Sequence, residues 1–89
     1  MSRPYDHLAI TCKRWFQKSY GNTYHSVEIV DRTNGKQLAY SGFNYGYERA
    51  CVETAVEVLN NMGYDISYNT IEAQVAYINI IDVNRKKDL

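Results

Sequence analysis

Even positions of "HLAITCKRWFQK" are apolar at Leu8, Ile10, Cys12 and Phe16, while odd positions carry Thr11, Lys13, Trp15 and Gln17. A period of two is that of a β-strand with one buried side. Arg14 breaks the apolar parity, so the strand either outruns the core there or bulges. "SYGN" reads as a turn, because Gly21 and Asn22 both tolerate positive φ. "TYHSVEIV" continues as a second strand, with Val27 and Ile29 inward and Tyr24, Ser26 and Glu28 outward. Asn34-Gly35 is the strongest short hairpin signal and favours a two-residue type I′ turn. With those two residues as the loop, Thr33 faces Lys36, Ile29 faces Tyr40, and Leu38 and Tyr40 join the inner side.

The period then lengthens. From Tyr47 to Met62, Val52, Ala55, Val56, Leu59 and Met62 recur at helical spacing and form one buried stripe. Asn44 or Gly46 is placed to cap this helix, Glu48 suits the positive end of its dipole, and Gly63 suits its C-terminal left-handed position. Glu53 and Glu57 fall on the wet side. "YDISYNT" reads as a loop, and "IEAQ" as a helical turn or the start of a strand. "VAYINIIDV" is a strand with two apolar sides, which predicts a central place in the sheet. The charged tail 84–89, "NRKKDL", is expected to fray. The fold class predicted is α+β: an antiparallel sheet in β-β-β-α-β order with one helix packed on one face.

A chain of 89 residues closes one hydrophobic core, so residues 1–89 form a single domain with its core spanning about 7–83. One helix covers one side of a sheet only; the other is wet or meets a partner. No run of about 18 apolar residues predicts a membrane span, and the N-terminus lacks the pattern of a secretory signal, so a cytoplasmic location is expected. Cys12 and Cys51 then read as reduced, buried thiols, with a bridge between strand and helix left open. Their spacing does not suggest zinc, and no metal or cofactor is predicted.

The formal net charge is zero, which removes bulk attraction to nucleic acid. The distribution is uneven: residues 1–49 hold seven cations and four acids, and residues 50–89 hold three and six. No phosphate-binding loop, dinucleotide fingerprint, HExxH or GxSxG motif is present. Parity sends His25 to the helix side near Phe16, as a polar residue at the rim of the core. Cys12 is its nearest nucleophilic candidate, with no orienting acid, and no enzyme is predicted.

Parity also divides the rings. Phe16 and Tyr40 go to the core; Trp15 and Tyr24 go to the uncovered side with Lys13, Gln17 and Ser26, and Lys18 and Tyr20 lie at its rim. Large rings beside cations on an open sheet have the composition of a contact surface. Cross-strand ring pairing or burial in a dimer explains the same composition structurally. Glu53 and Glu57, one turn apart, form a second candidate that a basic partner would relieve.

The runs "WFQKSYGNTYHSV" and "YGYERACVETAVEVLN" resemble a group of small proteins encoded by bacteriophages and prophages, over most of the chain from Thr11 to Leu59. The resemblance implies a phage accessory protein that binds a host protein or nucleoprotein complex, some such proteins inhibiting defences such as CRISPR–Cas. It carries over no catalytic residues. Two other readings stand beside it. In one, single-stranded nucleic acid stacks on Trp15 and Tyr24 while Lys13, Arg14 and Lys18 meet phosphates. In the other, the Trp15 faces of a homodimer pair with each other.

Overall fold

The computed structural model describes residues 3–46 and 49–89. Strands β1 (Tyr5–Gln17), β2 (Asn22–Asp31), β3 (Lys36–Tyr45) and β4 (Val75–Val83) form one sheet in the spatial order β3-β2-β1-β4. Helix α1 (Ala50–Asn61) packs on one side of it, against β1, β2 and β3. A short helix α2 (Ile71–Gln74) leads into β4, and a 3-10 turn at Lys86–Asp88 follows it. The α+β class and the β-β-β-α-β order are as predicted. The sheet, however, is mixed: β1 pairs antiparallel with β2 but parallel with β4. β4 is an edge strand rather than a central one. Its second apolar side reflects partial exposure, with Tyr77 and Ile81 both open to solvent.

The core lies between α1 and the sheet. Leu8, Ile10 and Cys12 of β1 and Val27 and Ile29 of β2 meet Cys51, Val52, Ala55 and Leu59 of α1. Ile66 and Ile71, from the segment after α1, are buried in the same cluster. The Asn60 side chain holds that segment in place, its Nδ2 donating to the Ile66 carbonyl at 2.9 Å and its Oδ1 accepting from the Ile66 N–H at 3.0 Å. Cys12 and Cys51 are buried free thiols in hydrogen-bonding contact, and that contact together with burial pushes the Cys12 thiol up.

α1 begins later than its periodicity predicted. Its N-cap position is Arg49, with no side-chain cap; Asn44 belongs to β3, and Gly46 lies before the helix. Tyr47 and Glu48, expected in the first turn, lie outside the described residues. Arg49 is instead tied to the α2 segment, pairing with Glu72 and donating from Nε to the Tyr68 hydroxyl at 3.2 Å. The C-terminus ends as predicted. Gly63 takes φ +104°, and its N–H reaches the Asn60 carbonyl while the Tyr64 N–H reaches that of Leu59. That pair of bonds satisfies carbonyls the helix would otherwise leave open. Met62 is largely exposed rather than part of the buried stripe, because it is already the cap residue.

Both hairpin loops hold four residues. Gln17 faces Asn22, and Asp31 faces Lys36. In each, the N–H of the last loop residue, Gly21 or Gly35, donates at 2.8 Å to the carbonyl that opens the loop. These glycines sit at φ +69° and +73°, which is why glycine occupies that place. Asn34-Gly35 is thus the second half of a longer turn, begun early because Asp31 Oδ1 accepts the Thr33 N–H at 2.9 Å. The longer loop moves the register by two, which keeps parity; an irregularity between Ile29 and Val30 then moves it back by one, so that Ile29 faces Ala39 instead of Tyr40. A slip of one residue exchanges the two sides of a strand. Ala39 therefore takes the inner place, and Leu38 and Tyr40 are exposed. Phe16 is 53% exposed, a second departure from expectation, since the buried cluster on β1 ends at Cys12.

Candidate functional site

On the side of the sheet away from α1, the odd residues of β1 and the even residues of β2 stand in register. Trp15 is opposite Tyr24, Lys13 opposite Ser26, and Thr11 opposite Glu28. The Trp15 and Tyr24 rings stack at 5.9 Å between centroids. Phe43 lies almost parallel to Tyr24 at 4.5 Å, and Tyr45 meets Tyr24 edge-on at 5.7 Å. Four rings from three strands thus form one continuous array. Ring pairs of this kind contribute about 0.5–1.5 kcal/mol each beyond the area they bury.

The array depends on two irregularities in β3. Its register against β2 shifts between Ile29 and Val30, and again between His25 and Val27. The first places Tyr40 opposite Glu28 on the open side; the second restores the original parity, so that Tyr45 faces Tyr24. Phe43, in the second irregularity, has φ +51°, a conformation that costs a residue bearing a side chain about 1–2 kcal/mol. Its stacking on Tyr24 offsets that cost. Gly42 beside it leaves room for the Tyr40 ring, which a Cβ there would approach to 2.8 Å and displace. Bulges re-aim side chains, and here they bring Tyr40, Phe43 and Tyr45 to one side of the sheet.

The tail predicted to fray lies on this surface. The Lys86 Nζ sits 4.4 Å from the centre of the Phe43 ring, a cation over a π-face. The Tyr40 hydroxyl donates to the Leu89 carbonyl at 3.1 Å. Tyr40 and Leu89, with Thr11, Lys13, Ser26 and Glu28, surround a small cavity of about 50 Å³. Ser26 is consequently buried although it points away from α1. The rest of the array remains open, with Phe43 46% and Tyr45 69% exposed.

The predicted residues divide accordingly. Lys13, Trp15 and Tyr24 share the array face, and Gln17 follows on the same parity at the hairpin end. Tyr20 is at the exposed tip of the β1–β2 loop, outside the ring contacts of the array. Arg14 points to the other side, where it grips Asp82 with bonds of 2.8 and 3.2 Å. Lys18 lines a cleft of about 480 Å³ there with Arg14, Phe16 and Thr23. The predicted cation set is therefore split across the sheet. Glu53 and Glu57 are exposed on α1, on the opposite side of the molecule from Trp15, so the two candidate surfaces are separate. Phe43, Tyr45 and Lys86 complete the array and were not selected from sequence. "SGFNYGY" gave the aromatic content but not the bulge that aims it.

His25 is buried rather than at the rim. Its Nε2 lies 2.7 Å from the Thr54 hydroxyl and its Nδ1 3.3 Å from the Gly46 carbonyl. The neutral ring satisfies both, Nδ1–H donating to the carbonyl and Nε2 accepting from the hydroxyl. The pairing makes His25 a structural link between β2, α1 and the segment between β3 and α1. Burial holds its pKa below the ordinary 6.5. The unfolded chain takes up a proton near 6.5 that the folded chain resists. Stability is therefore complete above that pH and falls as pH drops below it toward the folded-state value. Asp31, lowered from 3.8 by its bonds to Thr33, acts only at more acid pH. Urea midpoints measured from about pH 7.5 to about 5 are expected to decline in the wild type and to flatten in His25→Gln. Equal slopes in the two proteins would show that His25 is not the sensitive group.

Among the described residues, no three of His, Cys, Asp and Glu cluster to hold a metal, and no helix is long and apolar enough to cross a membrane. Comparison with family models, with curated proteins and with solved structures returns no match to this chain.

Proposed function

We propose that the chain is a non-enzymatic phage accessory protein that binds a host protein or nucleoprotein complex through the Trp15–Tyr24–Phe43–Tyr45 face. Inhibition of a host defence such as CRISPR–Cas is the role this reading favours. The observation that carries the binding surface is the ring array itself, assembled from three strands at the expense of a left-handed Phe43. Aromatic residues of this kind present large, stiff contact area at little entropic cost, and such residues dominate binding energy at interfaces. The phage context rests on the resemblance of the Thr11–Leu59 stretch.

The test is affinity capture from host lysate with wild type, Trp15→Ala and Glu53→Arg, each checked for folding by circular dichroism. Trp15→Ala is expected to reduce capture at least about tenfold, in line with the loss of a central aromatic anchor. Undiminished capture by Trp15→Ala contradicts the assignment of this face. Glu53→Arg reports on the separate acidic ridge of Glu53 and Glu57: loss of capture there adds a second surface on α1, and retention confines binding to the sheet.

A second reading, single-stranded nucleic acid, is favoured by one feature: Lys86 and Lys13 flank rings able to stack on bases. Arg14 and Lys18 point elsewhere, which limits the phosphate contacts this face can make. Binding of a labelled single strand must weaken with salt in proportion to those contacts. A flat titration at low salt removes this reading and leaves the first.

A further inference from the structure

We infer that β4 is a self-pairing edge, and that a second copy of this chain adds to it antiparallel about a two-fold axis at Asn79. The two edges of the sheet differ in kind. β3 is protected: two register irregularities, Gly42 and the left-handed Phe43 bend it, and Lys36 opens it. Such features prevent edge-to-edge pairing. β4 lacks them. From Tyr77 to Val83 it runs in regular register with β1, and "VAYINIIDV" contains no proline and no cation. Its only charge, Asp82, is held by Arg14 of β1. Among the described strands, only β1 pairs with it.

Beyond Val75, which is buried in the core, both sides of β4 are also short of cover. α1 packs over the other three strands, leaving Ile78 and Ile80 partly buried against the core margin. On the other side Tyr77 and Ile81 are 46% and 45% exposed. A partner strand at this edge covers apolar surface on both sides while satisfying the open backbone groups.

The sequence of β4 selects the occupant, because it matches its own reversal. With Asn79 opposite its mate, Ile78 faces Ile80 of the second copy and Tyr77 faces Ile81. Val75 then faces Val83, and Asp82 faces Ala76 away from any like charge. Residues directly opposite in an antiparallel pair lie on the same side of the sheet, so the four isoleucines at 78 and 80 meet as one layer. The two Asn79 amides are placed to hydrogen-bond across the axis. Moving the axis to Ile80 sets Asp82 against Ile78, and moving it to Ile78 sets Tyr77 against Asn79. The arrangement joins two four-stranded sheets into one of eight strands and leaves both aromatic arrays open, so it is independent of the function proposed for them.

Sedimentation from low to high micromolar concentration is expected to show wild type and Trp15→Ala shifting alike from monomer to dimer. Asn79→Cys, at an exposed position, is expected to form a disulfide-linked dimer on mild oxidation, since residues opposite at the axis lie within disulfide reach. Ile81→Cys is the control. Its own mate lies about 13 Å along the strand, and cross-linking should be at least about tenfold slower. A wild type that stays monomeric throughout, or equal cross-linking by the two cysteine variants, overturns the inference. Dissociation caused by Trp15→Ala does so as well, by moving the dimer contact to the aromatic face.

Discussion

Substituting Gly46 by alanine is expected to destabilise the protein by about 2–5 kcal/mol, combining backbone strain with a steric overlap. Gly46 has φ +143°, where a side chain is strained, and a Cβ built there lies 2.6 Å from that of Ala50. Its carbonyl also accepts the bond from the buried His25. Relief of the overlap moves either the start of α1 or that carbonyl. Gly35→Ala supplies the comparison: Gly35 also has positive φ, at +73°, but no atom lies within 4 Å of its added Cβ. It should cost only about 1 kcal/mol. Urea denaturation of the two variants measures the difference. Equal losses would mean that the close approach of Gly46 to α1 is wrong.

Leu59→Ala is expected to cost about 2–5 kcal/mol through lost burial and the cavity left behind. Leu59 is fully buried, and it joins the helix to the sheet and to the segment bearing Ile66 and Ile71. A domain of this size has about 5–10 kcal/mol in total, so the variant should melt roughly 10–25 °C lower. Met62→Ala, three residues on along the same helical stripe, should change stability by less than about 1 kcal/mol because Met62 is exposed. Similar losses at both sites would contradict the observed end of the buried stripe.

The strand–helix order and most of the core were readable from periodicity, because local alternation carries that information. Leu8, Ile10, Cys12, Val27 and Ile29 alternate cleanly, and all five are buried. What periodicity could not supply was register beyond the second loop. Asn34-Gly35 matches a two-residue turn locally, but the Asp31 side chain starts the turn earlier, and an irregularity between Ile29 and Val30 then slips β3 by one residue. Tyr40 was therefore assigned to the wrong side, although Tyr45 returns to the side its parity indicates after the second bulge. Parity correctly separated Trp15 from Arg14 across the sheet, and yet Lys18 and Arg14 were grouped with it as phosphate contacts. The error on β4 has a different origin. Two apolar sides indicate a central strand only when both are buried, and here β4 is an edge strand with Tyr77 and Ile81 exposed. The tail offered no periodic signal at all; its place is set by individual long-range contacts, Lys86 on Phe43 and Leu89 on Tyr40.

His25 shows the same limit from the opposite direction. Sequence placed it on the correct side of the sheet but at the rim, since its partners Thr54 and Gly46 are 29 and 21 residues away along the chain. A histidine whose two ring nitrogens are both satisfied by a hydroxyl and a carbonyl is held rather than available for proton transfer.

Trp15 is the single tryptophan of the chain, so 5-hydroxytryptophan incorporated there and excited beyond the tryptophan band reports on the aromatic face alone, in the free protein and in a complex. Acrylamide quenching of that emission, measured on the free protein and on the complex captured from host lysate, tests the central claim most directly. Quenchable emission in the free protein that becomes shielded in the complex is the predicted result; identical quenching in both states would place the partner elsewhere.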